Sequence, residues 1–200
     1  MESEEPLSDY FFAPDEYRTE RLLLRSYQPG DGAELCAATL ESYEHLKNWM
    51  PWATESQSEE ESEQLVRTFR AGYLLADNFV VAIRTLDDRR LLGGAGFHLR
   101  EGPLSSGNSE LGMWIRSSEA HRGIGTETLR ALIEWGFTEW PWNRLSWRCD
   151  SKNLASIRVA EKAGMQREGV LREHLRNPAG EVRNTVCYAI LKEEWTSRAD

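Results

Sequence analysis

The most constraining part of the sequence is residues 109–150, where a strand pattern, a glycine turn, an amphipathic run and a second strand pattern follow one another. The segments read SELGMWIR, EAHRGIGT, ETLRALIEWGF and RLSWRCD. The amphipathic run and its continuation form one apolar stripe at three- and four-residue spacing, made of Leu129, Leu132, Ile133, Gly136, Phe137 and Trp140. The last segment alternates apolar and polar residues, as a strand with one buried face does. The sequence therefore predicts a strand–helix–strand unit at the centre of the fold.

The remaining segments extend this unit into a mixed α/β fold. Strands are predicted at residues 19–27, 78–86, 91–100, 167–176 and 182–191, and helices at 29–42, 43–53, 54–75 and 153–164. The helix at 43–53 breaks at Pro51. Residues 1–18 are predicted to be an acidic, flexible extension, and residues 19–200 a single domain.

Charge and cysteine content exclude several classes of protein. The formal net charge is −9 at pH 7, whereas a protein that binds a phosphate backbone needs a basic stripe, so nucleic-acid binding is not expected. The N-terminus lacks the basic start and apolar core of a signal peptide, and no segment reaches the roughly 18 apolar residues of a membrane span. The three cysteines are widely spaced, which fits neither a disulfide framework nor a zinc site. A cytoplasmic protein without a metal is predicted.

The glycine turn before the central helix predicts an anion site. The first N–H groups of a helix lack helical acceptors and carry partial positive charge, so an anion placed there is stabilised. Gly123 and Gly125 leave this backbone open because they have no Cβ, while Arg122 adds a positive charge and Thr126 a hydroxyl group. A plain tight turn is the alternative, since the segment matches neither a dinucleotide fingerprint nor a P-loop.

The ordered set of motifs resembles the GCN5-related N-acetyltransferases (GNAT), and within them the Rim-type branch of RimJ- and RimL-like ribosomal-protein N-terminal acetyltransferases. The likeness covers residues 19–195 and includes ELGMWI, HRGIGTETLRALIEWGF, NRLSWRCDSKNLASIRVAEKAGM, YAILKEEW, RTERLLLRSY and the Trp-rich LKNWMPWA. It implies a GNAT fold, in which a central, mostly antiparallel sheet contains two splayed parallel strands, here 109–116 and 144–150, and is flanked by helices. It also implies acetyl-CoA as the cofactor, lying in the gap between those strands.

The resemblance implies a cofactor contact for each matching position. Backbone groups of Met113, Trp114 and Ile115 would pair with the pantetheine and hold the acetyl carbonyl. Asn153 and Ser156 would face the distal pantetheine and the thiol. The pyrophosphate would be cradled by His121, Arg122, Gly123, Ile124, Gly125 and Thr126.

Two positions depart from the family pattern. Ala120 stands where the family usually has Arg or Gln, and Arg122 is the compensating cation. Ala160 stands where many members carry a tyrosine that protonates the departing thiolate. Ser156, one helical turn earlier on the same face, is the predicted substitute. Its alternative role is a hydrogen bond back to a carbonyl one turn earlier.

Two side chains are candidates for accepting the amine proton. Glu110 shares a strand face with Trp114, and the family often uses an acidic residue in this region. His98 lies on the preceding strand and shares a face with Gly94 and Gly96, where the absence of side chains leaves room. A salt-bridged glutamate and a packed histidine are the structural alternatives.

Tryptophans in two segments are predicted to wall the acceptor pocket, because aromatic rings suit a cation. They are Trp49, Trp52 and Trp114. Acidic neighbours favour a positively charged amine as the guest, and these are Glu41, Glu44 and Glu55.

The leading hypothesis is an acetyl-CoA-dependent N-acetyltransferase that acts on a primary amine. The acceptor is either a protein or peptide N-terminal α-amine, as in the Rim-type branch, or a small free amine such as an aminoacyl nucleotide, a polyamine or an aminoglycoside-like compound. A non-catalytic acetyl-CoA sensor and a plain interaction domain are the alternatives. The family resemblance also allows a homodimer.

Overall fold

The computed structural model describes residues 11–197, and between them the chain forms eight strands and six α-helices. The strands are β1 (Glu16–Arg18), β2 (Leu22–Ser26), β3 (Phe79–Thr85), β4 (Leu91–His98), β5 (Asn108–Ile115), β6 (Arg144–Asp150), β7 (Gln166–Arg176) and β8 (Val182–Leu191). The helices are α1 (Gly32–Glu41), α2 (Tyr43–Leu46), α3 (Glu59–Leu74), α4 (Ile124–Thr138), α5 (Leu154–Lys162) and α6 (Lys192–Thr196). No helix in this part of the chain has the length and apolarity to cross a membrane.

All eight strands belong to one sheet with the order β1-β2-β3-β4-β5-β6-β8-β7. Every neighbouring pair is antiparallel except β5 and β6, which run parallel because α4 connects them as a crossover helix. The parallel pair is joined only from Asn108 and Arg144 to Leu111 and Trp147, and the strands separate beyond that point. The mostly antiparallel sheet with two splayed parallel strands is therefore confirmed.

Helices pack on both faces of the sheet. Val81 and Ile83 of β3 belong to a large core that includes the apolar face of α4, whereas Ala82 lies in a smaller core with Leu35 of α1 and Val66 of α3. Since successive strand residues point to opposite faces, α4 covers one face while α1 and α3 cover the other.

The apolar stripe predicted for the central helix is confirmed in α4. The residues of this stripe are nearly or completely excluded from solvent. Trp135 and Trp147 are equally buried and also lie in the large core. Trp140 and Trp142 stack at 6.0 Å between ring centroids. The tryptophans beside α4 therefore serve mainly to fill the core.

The first described residues form part of the sheet. Residues 11–18, assigned to the extension from the sequence, pack on the sheet: β1 pairs with β2, and the ring of Phe11 lies 6.2 Å from that of Phe79. The sequence does not show the apolar pattern of a buried strand here, because Glu16 and Arg18 face solvent. Residues 1–10 lie outside the described part of the chain.

Helix boundaries follow local capping chemistry. The acidic helix predicted from residue 54 begins only at Glu59, where Ser58 and Glu61 form a capping box. Three glutamates in the first turn of α3 then interact favourably with the helix dipole. Only Tyr43–Leu46 of the predicted helix 43–53 is α-helical.

Candidate active site

A cleft opens between β5 and β6 where their pairing ends. Beyond that point the two strands do not pair: Gly112–Ile115 of β5 lies on one side of the cleft and Arg148–Asp150 of β6 on the other. The N–H of Arg116 donates to the carbonyl of Leu92 on β4 at 2.8 Å. Backbone groups alternate in direction along a strand, so those of Met113 and Ile115 point into the cleft and those of Trp114 point toward β4.

The turn at the end of this cleft has an unusual backbone. His121 and Gly123 have φ values of 63° and 81°, in the left-handed region that is disfavoured for residues with a Cβ. The first helical hydrogen bond of α4 runs from the Glu127 N–H to the Gly123 carbonyl at 3.0 Å. The N–H groups of Ile124, Gly125 and Thr126 consequently have no acceptor within the helix, which makes the turn a nest for an anion. These three N–H groups lie within the segment 121–126, where the sequence predicts an anion site.

Gly125 lies close to side chains of β5 and α5. A Cβ placed on it would lie 3.6 Å from Met113 Cε, 3.7 Å from Ile115 Cγ1 and 3.7 Å from Val159 Cγ2. These three side chains come from the cleft strand β5 and from α5. The missing Cβ therefore keeps open the junction between the cleft and the turn.

The arginines beside the turn are engaged with carboxylates. Arg122 donates to the buried Glu119 at 3.1 Å, and Arg21 donates to Glu127 at 2.7 Å. Arg21, Arg90 and Arg122 line a cavity of about 310 Å³ together with residues of β2, β3 and β4. Arg122 thus lies on the β4 side of the turn in this structure, and its predicted contact with an anion in the cleft requires its side chain to leave Glu119.

Helix α5 forms the far wall of the cleft. The Asn153 side chain caps it by accepting a hydrogen bond from the Ser156 N–H at 3.0 Å, as its N-cap position predicts. The hydroxyl oxygen of Ser156 accepts a hydrogen bond from Trp147 Nε1, also at 3.0 Å. This contact turns the hydroxyl toward β6 instead of back to a helix carbonyl. Ala160 is completely buried in the large core, so its side chain is unavailable for proton transfer.

Cys149 lies next to this serine on β6. Burial raises the pKa of the Cys149 thiol, and the Ser156 hydroxyl acts in the opposite direction through a hydrogen bond. The cysteine therefore remains a neutral thiol at neutral pH.

On the opposite face of the sheet, alternate residues of β4 and β5 form a patch made of Gly94, Gly96, His98, Glu110, Gly112 and Trp114. We call it the β4–β5 patch. It brings together both candidate proton acceptors, since His98 and Glu110 are cross-strand partners. Half of the patch is glycine, so its backbone is open on this face.

Glu110 is buried and tied to two guanidinium groups. Its Oε1 accepts a hydrogen bond from Arg100, and its Oε2 lies 3.7 Å from Nε of Arg148. Arg148 also donates to Glu101 at 2.6 Å. No local sequence pattern indicates this pairing, because Arg100 and Glu101 follow β4 whereas Arg148 lies on β6.

His98 is held by an amide side chain. Its Nδ1 lies 3.0 Å from Oδ1 of Asn78, the residue immediately before β3. Burial, and then the charge of Arg100, lowers the pKa of His98 to about 4. The imidazole is therefore neutral at physiological pH. Asn78 was not singled out in the sequence, where it reads as an ordinary polar residue ahead of a strand.

The depressed pKa of His98 predicts a pH-dependent stability. The pKa of His98 is 6.5 in the unfolded chain and about 4 in the native protein. Between pH 6.5 and pH 4 the unfolded chain therefore binds more protons at this site than the native protein does. The stabilisation is complete above pH 6.5 and is lost as the pH falls through this window. We expect the free energy of unfolding to fall more steeply in wild type than in His98→Gln, with a difference on the order of 3 kcal/mol by pH 4. Urea unfolding at several pH values measures it, and parallel curves would contradict it.

Two of the three predicted acceptor-wall tryptophans contact each other. The rings of Trp52 and Trp114 lie 5.9 Å apart in an edge-on arrangement, and Trp52 is 49% exposed. Trp114 fits over Gly94, where a Cβ would lie 2.6 Å from its Nε1. Trp49 is half-buried, and among the described residues it makes no ring contact with this pair.

Two of the three acidic neighbours of these rings, Glu41 and Glu44, already have cationic partners. Glu41 accepts a hydrogen bond from Arg116 at 2.7 Å, and this contact, with one from Ser118, lowers the pKa of Glu41 to about 2. Glu44 pairs with Lys47 at 2.7 Å. Glu55, the third acidic neighbour, interacts with the hydroxyl of Tyr43 and not with a cation within ion-pair distance among the described residues. Nor do residues 11–197 contain a group of three or more His, Cys, Asp or Glu side chains arranged to hold a metal ion.

The chain is similar to known acetyltransferases. The family model for the acetyltransferase (GNAT) domain matches residues 21–166. The chain belongs to the GNAT family. It is 30% identical over 179 residues to the uncharacterized N-acetyltransferase YnaD of Bacillus subtilis, a match that covers 88% of this chain and 97% of that protein.

Solved GNAT structures share the fold. A GNAT-family acetyltransferase from Bacillus anthracis superimposes with a TM-score of 0.74 at 26% identity, covering 90% of this chain and 99% of that one. RimL, a ribosomal L7/L12 α-N-protein acetyltransferase in complex with coenzyme A, superimposes with a TM-score of 0.79 at 20% identity, covering 88% and 97%.

The protein is therefore an acetyl-CoA-dependent acetyltransferase with the GNAT fold. Its residues fit the cofactor physically. The unpaired N–H groups at the start of α4 suit a pyrophosphate, the open edge of β5 suits an amide-containing chain, and Gly125 leaves room where the two meet.

Proposed function

We propose that this GNAT enzyme acetylates the N-terminal α-amine of a protein or peptide. The observation that carries the proposal is the pairing of the carboxylates around the β4–β5 patch. Glu110 pairs with Arg100, Glu41 with Arg116 and Glu44 with Lys47. A polyamine or aminoglycoside-like acceptor carries several positive charges and needs several unpaired carboxylates. A peptide N-terminus presents one charge and then a polar backbone.

The exposed rim also supports a peptide acceptor. Trp52 and Trp114 form an aromatic edge beside the patch, and an ammonium group or a peptide plane can pack on such a surface. RimL, which shares the fold, is a ribosomal L7/L12 α-N-protein acetyltransferase.

Each chemical requirement of the transfer has a proposed group. Acetyl-CoA supplies an activated acetyl thioester. The N–H groups of Met113 and Ile115, directed into the cleft, donate to the acetyl carbonyl and stabilise negative charge on its oxygen. Ser156 donates its hydroxyl proton to the departing sulfur. His98 and Glu110 are the two candidates for accepting the amine proton.

A panel of acceptors tests this proposal. We expect thiol release from acetyl-CoA with a lysine-free peptide that has a free N-terminus, and none with the same peptide blocked at the N-terminus. We expect kcat/KM for that peptide to exceed that for spermine-like polyamines by about tenfold or more, because each extra unpaired charge on the acceptor must be desolvated without a partner.

The alternatives give different outcomes in the same experiment. A higher kcat/KM for the polyamine than for every free peptide would overturn the peptide proposal and favour a small amine. Calorimetric binding of acetyl-CoA with no thiol release for any amine would favour a sensor.

A further inference from the structure

We infer that Asn78 is a positioning residue that holds His98 with its Nε2 lone pair facing the acceptor amine, so that His98, and not Glu110, accepts the amine proton. This inference rests on the proposed N-acetyltransferase function and assigns one step of it. It adds a residue that lies outside every motif of the sequence.

The hydrogen bond between the two side chains fixes the imidazole tautomer. An amide oxygen can only accept a hydrogen bond, and Oδ1 of Asn78 lies 3.0 Å from Nδ1 of His98. Nδ1 must therefore carry the proton, which leaves Nε2 with its lone pair. Among the described residues, Nε2 has no hydrogen-bond partner of its own.

The unprotonated nitrogen lies at the mouth of the cleft. A Cβ on Gly112 would be only 2.8 Å from Nε2 of His98 and 3.1 Å from its Cδ2. Gly112 is the first residue of β5 beyond its pairing with β6, which ends at Leu111. The imidazole therefore lies over the backbone position at which the cleft opens, and an acceptor reaching the thioester from this face passes next to Nε2.

The charges around the patch favour His98 over Glu110. The two oxygens of Glu110 are directed at Arg100 and Arg148, so an acceptor amine would have to displace a guanidinium group to reach them. His98 faces the same Arg100 across the patch, with Glu110 as its neighbour on β5. Burial and Arg100 together keep its imidazole neutral, with the pKa at about 4. A neutral imidazole presents a free lone pair at working pH.

The proton transfer balances without any additional reactant. The acceptor ammonium first loses one proton to water, and the neutral nitrogen then forms a bond with the acetyl carbon while the carbon–sulfur bond breaks. The nitrogen becomes strongly acidic as this bond forms, so a weak base suffices to take its proton. Nε2 of His98 receives that proton and the departing sulfur receives one from Ser156; His98 then releases its proton to water, and Ser156 regains one from water.

Asn78→Asp is the most informative variant. The carboxylate keeps an oxygen acceptor for Nδ1 and adds a negative charge, which raises the pKa of His98. We expect a new acidic limb in the pH profile of kcat/KM, at least one pH unit above any limb of wild type, with the KM for acetyl-CoA unchanged. Asn78→Leu removes the acceptor, and we expect kcat to fall about tenfold, again with an unchanged KM for acetyl-CoA.

The matched variants are His98→Gln and Glu110→Gln. We expect His98→Gln to lower kcat by at least about tenfold and to remove the new limb when combined with Asn78→Asp. A pH profile of Asn78→Asp that matches wild type, together with loss of turnover in Glu110→Gln alone, would overturn the inference and assign the step to Glu110.

Nitrogen-15 spectra of the protein test the positioning independently of activity. The His98 signal, assigned by its absence in His98→Gln, is expected to show a protonated Nδ1 and an unprotonated Nε2. A protonated Nε2 would overturn the role of Asn78 even in an active enzyme. Conversely, the expected tautomer without thiol release from any amine would leave the tautomer assignment standing while the proposed function, and with it the proton step, fails.

Discussion

Gly125→Val is expected to weaken acetyl-CoA binding by roughly 100-fold or more while changing the free energy of unfolding very little. The valine side chain would fill the junction between the turn and the cleft, bounded by Met113, Ile115 and Val159 at 3.6–3.7 Å from the new Cβ. A phosphate would then be held away from the first N–H groups of α4. Losing about two hydrogen bonds to a charged group costs about 3 kcal/mol, which corresponds to roughly 100-fold in affinity.

The fold should tolerate this change, because the new Cβ makes only ordinary van der Waals contacts. Valine also has a slightly better helix propensity than glycine. Gly169→Val on β7 is the matched control, since a Cβ there meets nothing within 4 Å. Calorimetry with acetyl-CoA and a thermal melt of both variants provide the measurement. Undiminished affinity in a folded Gly125→Val protein would mean that the phosphates bind elsewhere.

Ser156→Ala is expected to lower kcat by roughly 100-fold and to leave acetyl-CoA affinity within about twofold of wild type. A positioned proton donor typically contributes 10²–10⁴-fold to the rate, and the side chain that often fills this role in the family is replaced here by the buried Ala160. Affinity should persist because the backbone of the cleft and of the α4 turn is unchanged.

Trp147→Phe separates the orientation of the hydroxyl from its presence. It removes the indole N–H that donates to Ser156 at 3.0 Å and also shrinks a buried side chain. In protein that a thermal melt shows to be folded, we expect an intermediate loss in kcat of about tenfold. Ser105→Ala, at an exposed serine outside the site, is the control and should retain full activity. Single-turnover thiol release in all three variants measures these rates. Wild-type rates in Ser156→Ala would transfer the donor role to another group or to water.

The backbone features behind the proposed cofactor site follow from local sequence patterns, whereas the surroundings of the acceptor do not. The glycine turn, the strands that splay and the N-capping Asn153 are contiguous with the central strand–helix–strand unit, where spacing and helix chemistry determine the structure. Trp52 and Trp114, predicted as neighbours from segments far apart, do lie in contact. Their prediction depended on the family resemblance, since no local pattern relates the two segments.

The structure differs from the sequence-based predictions mainly in which polar side chains pair with each other. The sequence predicts that Arg122 contacts an anion and that Glu110 is a candidate for accepting the amine proton. In the structure both are paired with opposite charges from other residues. Asn78, which contacts His98, lies 20 residues away along the chain. Such pairs arise from strand register and loop placement, which composition and periodicity do not specify.

The chain's own sequence determined the elements and their order, because apolar periodicity selects helix or strand and glycine permits the left-handed turn before α4. It also determined which backbone N–H groups stay unpaired, since every helix leaves its first turn without acceptors. Only the tertiary structure decided which polar side chains remain available for chemistry. That depends on which charges come within hydrogen-bonding distance when β4, β5 and β6 align. The alignment placed Glu110 between two arginines and left one nitrogen of His98 without a partner among residues 11–197.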